Sequence, residues 1–242
     1  MLTTILPWEY SNFMLLELFH GSEKIISRPE YGKGKPFNDY GKAFYTTKEI
    51  DLAREWAVEK DRDGYVNCYE LELDGLKVLN LCDDQYTIMN WLALLVDNRT
   101  FEIQTDFGLE AINYLKENFL LPYDEYDVII GYRADDSYFS FAQDFLNNTI
   151  SISTLSKAMY LGDLGKQVAI KSERAFERIK FLGSEDVKAI EWYPQKEYRD
   201  NAARSRYAQM RNETWKRGEL YMMTIIDEEI KPDDMRLRPG IT

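Results

Sequence analysis

The chain has 242 residues, 45% of them hydrophobic and 30% charged, a length and composition that give one buried core and exclude disordered and fibrous classes. Its formal net charge of −12 sets the average surface against polyphosphate backbones, so nucleic acid is not an expected partner, although a local basic patch remains compatible with the sum. No apolar run approaches the roughly 20 residues of a bilayer span, the start MLTTILPWEYSNF lacks a basic region before a hydrophobic stretch, and Cys68 and Cys82 have neither metal-site spacing nor disulfide density, so a cytoplasmic protein with no membrane partner and no metal is expected.

MLLELFHGS reads as an apolar strand that ends in a His20-Gly21-Ser22 turn, where glycine permits the change of direction. From Ser27 to Lys42, RPEYGKGKPFNDYGK has the glycine and proline content of a loop. Lacking GxxxxGK[ST] spacing and an immediately following helix, it reads as a mobile flap over a cleft and not as a phosphate cradle. AFYTT is a short strand, and KEIDLAREWAVEK places Ile50, Ala53, Trp56 and Ala57 on one helical face. YVNCYELELDGLKVLNL alternates like a strand and turns at Asp74-Gly75, which predicts a hairpin. Glu70 and Glu72 fall on one face of it, and alternation on a solvated strand accounts for both without carboxylate-pair chemistry.

Two helical patterns follow, around NWLALLVDN and LEAINYLKENF, separated by the polar RTFEIQTD. YDVIIGY reads as a buried strand and SYFSFAQDFLNN as a helix closed by its asparagine pair. After ISIST and another helix, LGDLGKQVAIKS gives a loop and a strand, and RAFERIKFL resumes helical spacing. The tail from Glu185 begins with a strand-like AIEWYP, continues through the charged helical DNAARSRYAQMRNETWKRG and ends in YMMTIIDEEIKP. The basic run from Arg199 to Arg217 reads as a solvated helix face.

His20 is the only histidine, which excludes a Ser-His-Asp triad built on any other histidine and any multi-histidine metal site. The ordered series His20-Gly21-Ser22, a glycine-rich loop, Tyr40-Gly41-Lys42-Ala43-Phe44-Tyr45-Thr46-Thr47, and a helix bearing Ala53 and Trp56 resembles the ADP-ribosyltransferase superfamily. The likeness is to the branch marked by His-Tyr-Glu. It implies an α+β fold with a split antiparallel β-sheet core, helices and a helical C-terminal extension. Residues 1–184 would form the NAD-binding domain and residues 185–242 an extension packed on it.

The same resemblance implies that His20 hydrogen-bonds the adenosine-side ribose and that the Gly21 backbone holds the nicotinamide carboxamide. Ser22 and Thr46 fall in the two NAD-binding blocks. Tyr45 and Trp56 would take the faces of the nicotinamide ring, and Ala53 stands where the family has a serine. Independently of the name, two aromatic faces suit a flat pyridinium through stacking and cation–π attraction. Gln167, in the LGKQVAIKS block, stands where the family carries its catalytic glutamate. An amide still exchanges hydrogen bonds with a ribose hydroxyl but brings no negative charge to an oxocarbenium-like transition state, a charge for which Asp163 is a nearby source. Gly165 removes the pattern of arginine-modifying members.

With His20, Tyr45 and Gln167 as catalytic residues, the implied activity is mono-ADP-ribosylation: transfer of ADP-ribose from NAD to a macromolecular acceptor, a protein, with release of nicotinamide. FHGS, NDYGKAFYTT and LGKQVAIKS further resemble a group of bacterial proteins of unknown function near these transferases, several of which resemble toxins, so a cognate antitoxin is an expected partner. Gln167 keeps open a non-catalytic module that retains the fold and binds NAD or a protein, and hydrolysis of NAD is a third reading.

Overall fold

Strand β1 (Leu15–Ser22) pairs antiparallel along its whole length with β3 (Gly64–Glu72), from Leu15 opposite Glu72 to Ser22 opposite Tyr65. The computed structural model describes residues 14–103, 105–134, 136–159, 161, 165–212 and 217–238. His20-Gly21-Ser22 thus continues the strand, and the turn predicted there is corrected: the ladder to β3 holds all three residues extended.

Among the described residues the remaining strands are β2 (Phe44–Thr47), β4 (Val78–Asn80), β5 (Val128–Tyr132), β6 (Lys166–Ile170) and β7 (Ile179–Val187). All seven join one sheet in the order β4-β5-β6-β2-β1-β3-β7, antiparallel except for β4 beside β5. One register pair alone, Phe19 with Thr47, connects β1 to β2. The sheet is therefore nearly divided into a four-stranded and a three-stranded part, and the chemistry described below gathers at that division.

The turn at Asp74-Gly75 forms, with Leu76 N–H donating to Leu73 O at 3.0 Å and Gly75 at φ 69°. The hairpin does not. Both edges of β3 are taken by β1 and β7, so the chain crosses to the far side of the sheet before β4 finds β5.

Helices α1 (Ile50–Ala57), α2 (Ile88–Asn98), α3 (Asp106–Phe119), α4 (Asp136–Leu146), α5 (Ile152–Ala158), α6 (Glu173–Phe176), α7 (Ala189–Arg211) and α8 (Met222–Asp227) surround the sheet. Residues 89–96 of α2 are all buried, as a helix apolar on every side requires. Its polar member Asn90 is satisfied by donating to Phe119 O at 3.0 Å. Ile129 and Ala169 face the large cluster containing α2, while Val128, Val168 and Ile170 join Leu18, Tyr69 and Leu71 in a second one.

Two further expectations are corrected. RAFERIKFL divides between α6, capped by the Ser172 hydroxyl that accepts from Ala175 N, and the start of β7, which β3 recruits from Ile179 onward. AIEWYP opens α7, because Asp63 Oδ1 accepts Ala189 N–H at 2.8 Å and supplies a cap from a remote loop. β7 runs through the boundary expected at residue 184, and Tyr207 stacks on Phe141 at 3.7 Å while Met222, Ile225 and Leu237 enter the main core. Among the described residues no helix is long and apolar enough to cross a membrane.

Candidate functional site

At the division between β1 and β2 lies a cleft of about 850 Å³ whose wall includes His20, Gly21, Phe44, Tyr45, Trp56 and Gln167. Its loop side is anchored at the root. Asn67, opposite His20 in the β1–β3 register, accepts Ile26 N–H at 2.7 Å, and the Tyr69 hydroxyl donates to Ile26 O at 2.6 Å.

His20 bridges the two parts of the sheet, with Nδ1 2.7 Å from the carbonyl oxygen of Tyr45. A carbonyl only accepts, so Nδ1 carries the proton. Burial pushes the imidazole pKa below its ordinary 6.5, with the Tyr45 hydrogen bond opposing, and the ring is neutral at pH 7. Nε2 is then a hydrogen-bond acceptor. Phe44 packs on the ring at 4.6 Å and keeps it in place.

Tyr45 is pinned at its tip: the hydroxyl donates to Gly41 O at 2.6 Å and accepts Tyr40 N–H at 3.1 Å. Burial pushes its pKa well up, so the phenol stays protonated and offers a ring face, not a base. Trp56, half-buried on α1, lies under the Arg133 guanidinium, whose carbon is 5.0 Å from the ring centroid. That face therefore already receives a planar cation.

Gly21 serves packing as well as the cleft wall. A Cβ there would come within 1.9 Å of Ala53 O, so α1 lies on β1 closer than any side chain permits. Three residues expected to bind NAD are absent from the wall. Ala53 is fully buried at this helix–strand contact, and Thr46 is buried with its hydroxyl donating to Val168 O at 2.9 Å. Ser22 donates to Lys24 O at 2.6 Å and accepts from Asn67. Strand alternation turns Thr46 to the face opposite Tyr45 and helix packing takes up Ala53, while Ser22, on the His20 face of β1, has its hydroxyl engaged by Lys24 and Asn67.

Gln167 is 4% exposed, and its amide nitrogen donates to Asp39 Oδ2 at 2.7 Å and to Tyr132 O at 3.2 Å. Two acceptors, Asp39 Oδ2 and Tyr132 O, fix the amide orientation and identify Oε1 as its acceptor atom. Asp39, 5% exposed, also accepts Ala134 N–H at 2.8 Å and pairs with Arg99 at 2.9 Å. Burial raises its pKa, and these three donors with nearby Arg133 act against that rise. A carboxyl group thus stands directly behind the Gln167 amide. Asp163 lies outside the described residues.

Sequence reasoning missed Asp39, Arg99 and Arg133, which stand just before β2, after α2 and after β5. Their only signal was position beside elements that the fold later brings together. It also missed α7 as a wall. Lys196, Asp200 and Arg204 line the cleft, and Arg199 secures the helix by pairing with buried Glu55 of α1. Burial raises the Glu55 pKa and Arg199 opposes it. Glu70 and Glu72 lie away from the cleft beside Lys180 and Arg178, at 4.0 and 3.7 Å, as solvated strand residues do. Among the described residues no group of three or more His, Cys, Asp or Glu is placed to hold a metal.

A family model described as a protein of unknown function (DUF3990) matches residues 16–181, more than half of the chain, and the chain belongs to that family. No curated protein and no solved structure matches it. The matched segment carries His20, Tyr45, Trp56 and Gln167, whereas the α7 wall lies beyond it.

Proposed function

We propose that this DUF3990-family chain binds NAD in the cleft and transfers its ADP-ribose unit to a macromolecular acceptor, a protein, releasing nicotinamide. The observation that carries the reading is that His20, Tyr45, Trp56 and Gln167, from four different elements, line one cleft at the division of the sheet. The near-division itself suits a split-sheet ADP-ribosyltransferase-like fold.

The donor set fits a nicotinamide riboside. A ribose hydroxyl donates to neutral His20 Nε2 and another to Gln167 Oε1, while the Trp56 face that now holds a guanidinium takes the planar pyridinium in its place. In the reaction the glycosidic C–N bond breaks, its electron pair leaves with nicotinamide, and positive charge builds on the anomeric carbon. The Asp39 carboxylate behind Gln167 lowers the energy of that charge, moderated by Arg99. The acceptor nucleophile then forms the new bond to that carbon and passes its proton to solvent.

Incubating the pure chain with labelled NAD and a cell lysate tests this reading: label transfer and nicotinamide release are expected. Neither exceeding a His20→Ala control would overturn it. The neutral Gln167 favours a second reading, a non-catalytic NAD-binding module, which calorimetric NAD binding without turnover would select. Tyr45→Ala and Trp56→Ala are each expected to weaken NAD binding by about 1 kcal/mol, a several-fold rise in Kd.

A further inference from the structure

Among the described residues every carboxylate in the cleft wall already faces a cation. Asp39 is held by Arg99 at 2.9 Å, Glu30 lies 3.9 Å from Lys33, and Asp200 lies 3.5 Å from Arg199. Arg28, Lys35 and Lys196 line the same wall and form no ion pair among the described residues. Among the described residues the wall holds seven Lys and Arg side chains, of which Arg28, Lys35 and Lys196 are the ones no described carboxylate pairs, against Glu30, Asp39 and Asp200. This stands inside a chain whose formal charge is −12. A concentration of one sign in a concave, low-dielectric site focuses the field and raises the local concentration of counter-charge.

The surplus cations come from two directions. Arg28 and Lys35 belong to the loop between β1 and β2, and Lys196 to α7, so a ligand lying between them meets charge on both sides. Cations converging from several directions suit a group with closely spaced charges and many acceptor oxygens, as vicinal phosphates present, better than a single carboxylate. A cleft of about 850 Å³ takes a small molecule, and the net charge of −12 on the chain as a whole disfavours a long polyanion.

We propose that the mouth of the cleft is a phosphate-binding site, built by the loop carrying Arg28 and Lys35 together with α7, and that it takes a small diphosphate-bearing molecule. The phosphates belong either to the dinucleotide itself or to a phosphorylated acceptor. The site does not depend on the nicotinamide reading, and α7, which lies outside the family-matched segment, is one half of it.

Calorimetry with inorganic pyrophosphate on the full chain tests the proposal. Binding is expected, weakening as salt is raised, and Lys35→Gln/Lys196→Gln should raise the Kd about tenfold or more. Arg28→Gln, a single change at another exposed position, should move it in the same direction. Absence of pyrophosphate binding, or an unchanged Kd in both variants, overturns the site. Repeating the titration with NAD present separates the sources: competition assigns the phosphates to the dinucleotide, and independent binding to the acceptor. Pyrophosphate binding with no NAD binding would leave this site standing and remove the NAD reading alone.

Discussion

The floor and the mouth of the cleft are both charged, yet they are built in opposite ways. On the floor, Asp39, Gln167 and Arg99 are interlocked: the carboxylate takes three donors and the amide nitrogen two acceptors. At the mouth, Arg28, Lys35 and Lys196 are held by no ion pair among the described residues. Buried polar groups must be satisfied by the protein itself, whereas groups in contact with water can wait for a ligand. Floor changes should therefore register in stability and chemistry, and mouth changes in affinity and salt dependence.

The largest effect expected is at the floor's edge. Gly21→Ala drives a Cβ into the backbone of α1 and should cost more than about 3 kcal/mol, seen as a collapse of the urea midpoint. A stable Gly21→Ala protein would mean that α1 does not pack on β1 this closely. Arg99→Ala strips Asp39 of its ion partner in a buried position and should cost about 3 kcal/mol by the same measurement.

Asp39→Asn sharpens the contrast between charge and shape. One oxygen of Asp39 takes both Ala134 N–H and the Gln167 amide, so an asparagine oxygen can keep both bonds while the negative charge and the bond from Arg99 to the other oxygen are lost. Nicotinamide release should fall about 10- to 100-fold with NAD affinity changed much less. An equal loss in both quantities would reduce Asp39 to a structural role.

His20 adds a smaller, pH-dependent effect. Its folded pKa lies below 6.5, so stability is fully present above that value and is lost as pH falls toward the folded pKa, where only the unfolded chain takes the proton readily. Asp39, raised by burial, gives the opposite slope above 3.8, so the His20 contribution is read as the difference between the native chain and His20→Gln across about pH 5 to 7. Identical profiles would contradict the burial of the imidazole. Least of all, Lys35→Gln should leave the unfolding free energy from urea titration within about 0.5 kcal/mol of the native value, as expected for an exposed residue away from packing. A larger loss would place Lys35 among the structural residues of the floor.

Much of this arrangement was legible in local pattern. The alternation around Leu18 and Tyr69 marked strands, the apolar run at Trp91 marked a buried helix, and the blocks around His20 and Tyr45 marked the two chain segments that meet across the sheet. Asp39 was not legible, because its importance arises from Gln167 and Ala134, both far along the chain. The same holds for α7, whose first turn is capped by Asp63 and whose exposed-looking charges prove to wall a cleft.

By itself the sequence determined which segments alternate, which are apolar on all sides and where aromatic and imidazole groups sit beside glycine, since those features depend on neighbours a few residues apart. Only the tertiary structure decided that β3 pairs with β1 and β7 instead of β4, that Thr46 and Ala53 are turned into packing, and that Asp39 lies behind Gln167. Strand order and side-chain satisfaction are set by competition among distant partners for the same edges and the same hydrogen bonds, and that competition is resolved only when the whole chain packs.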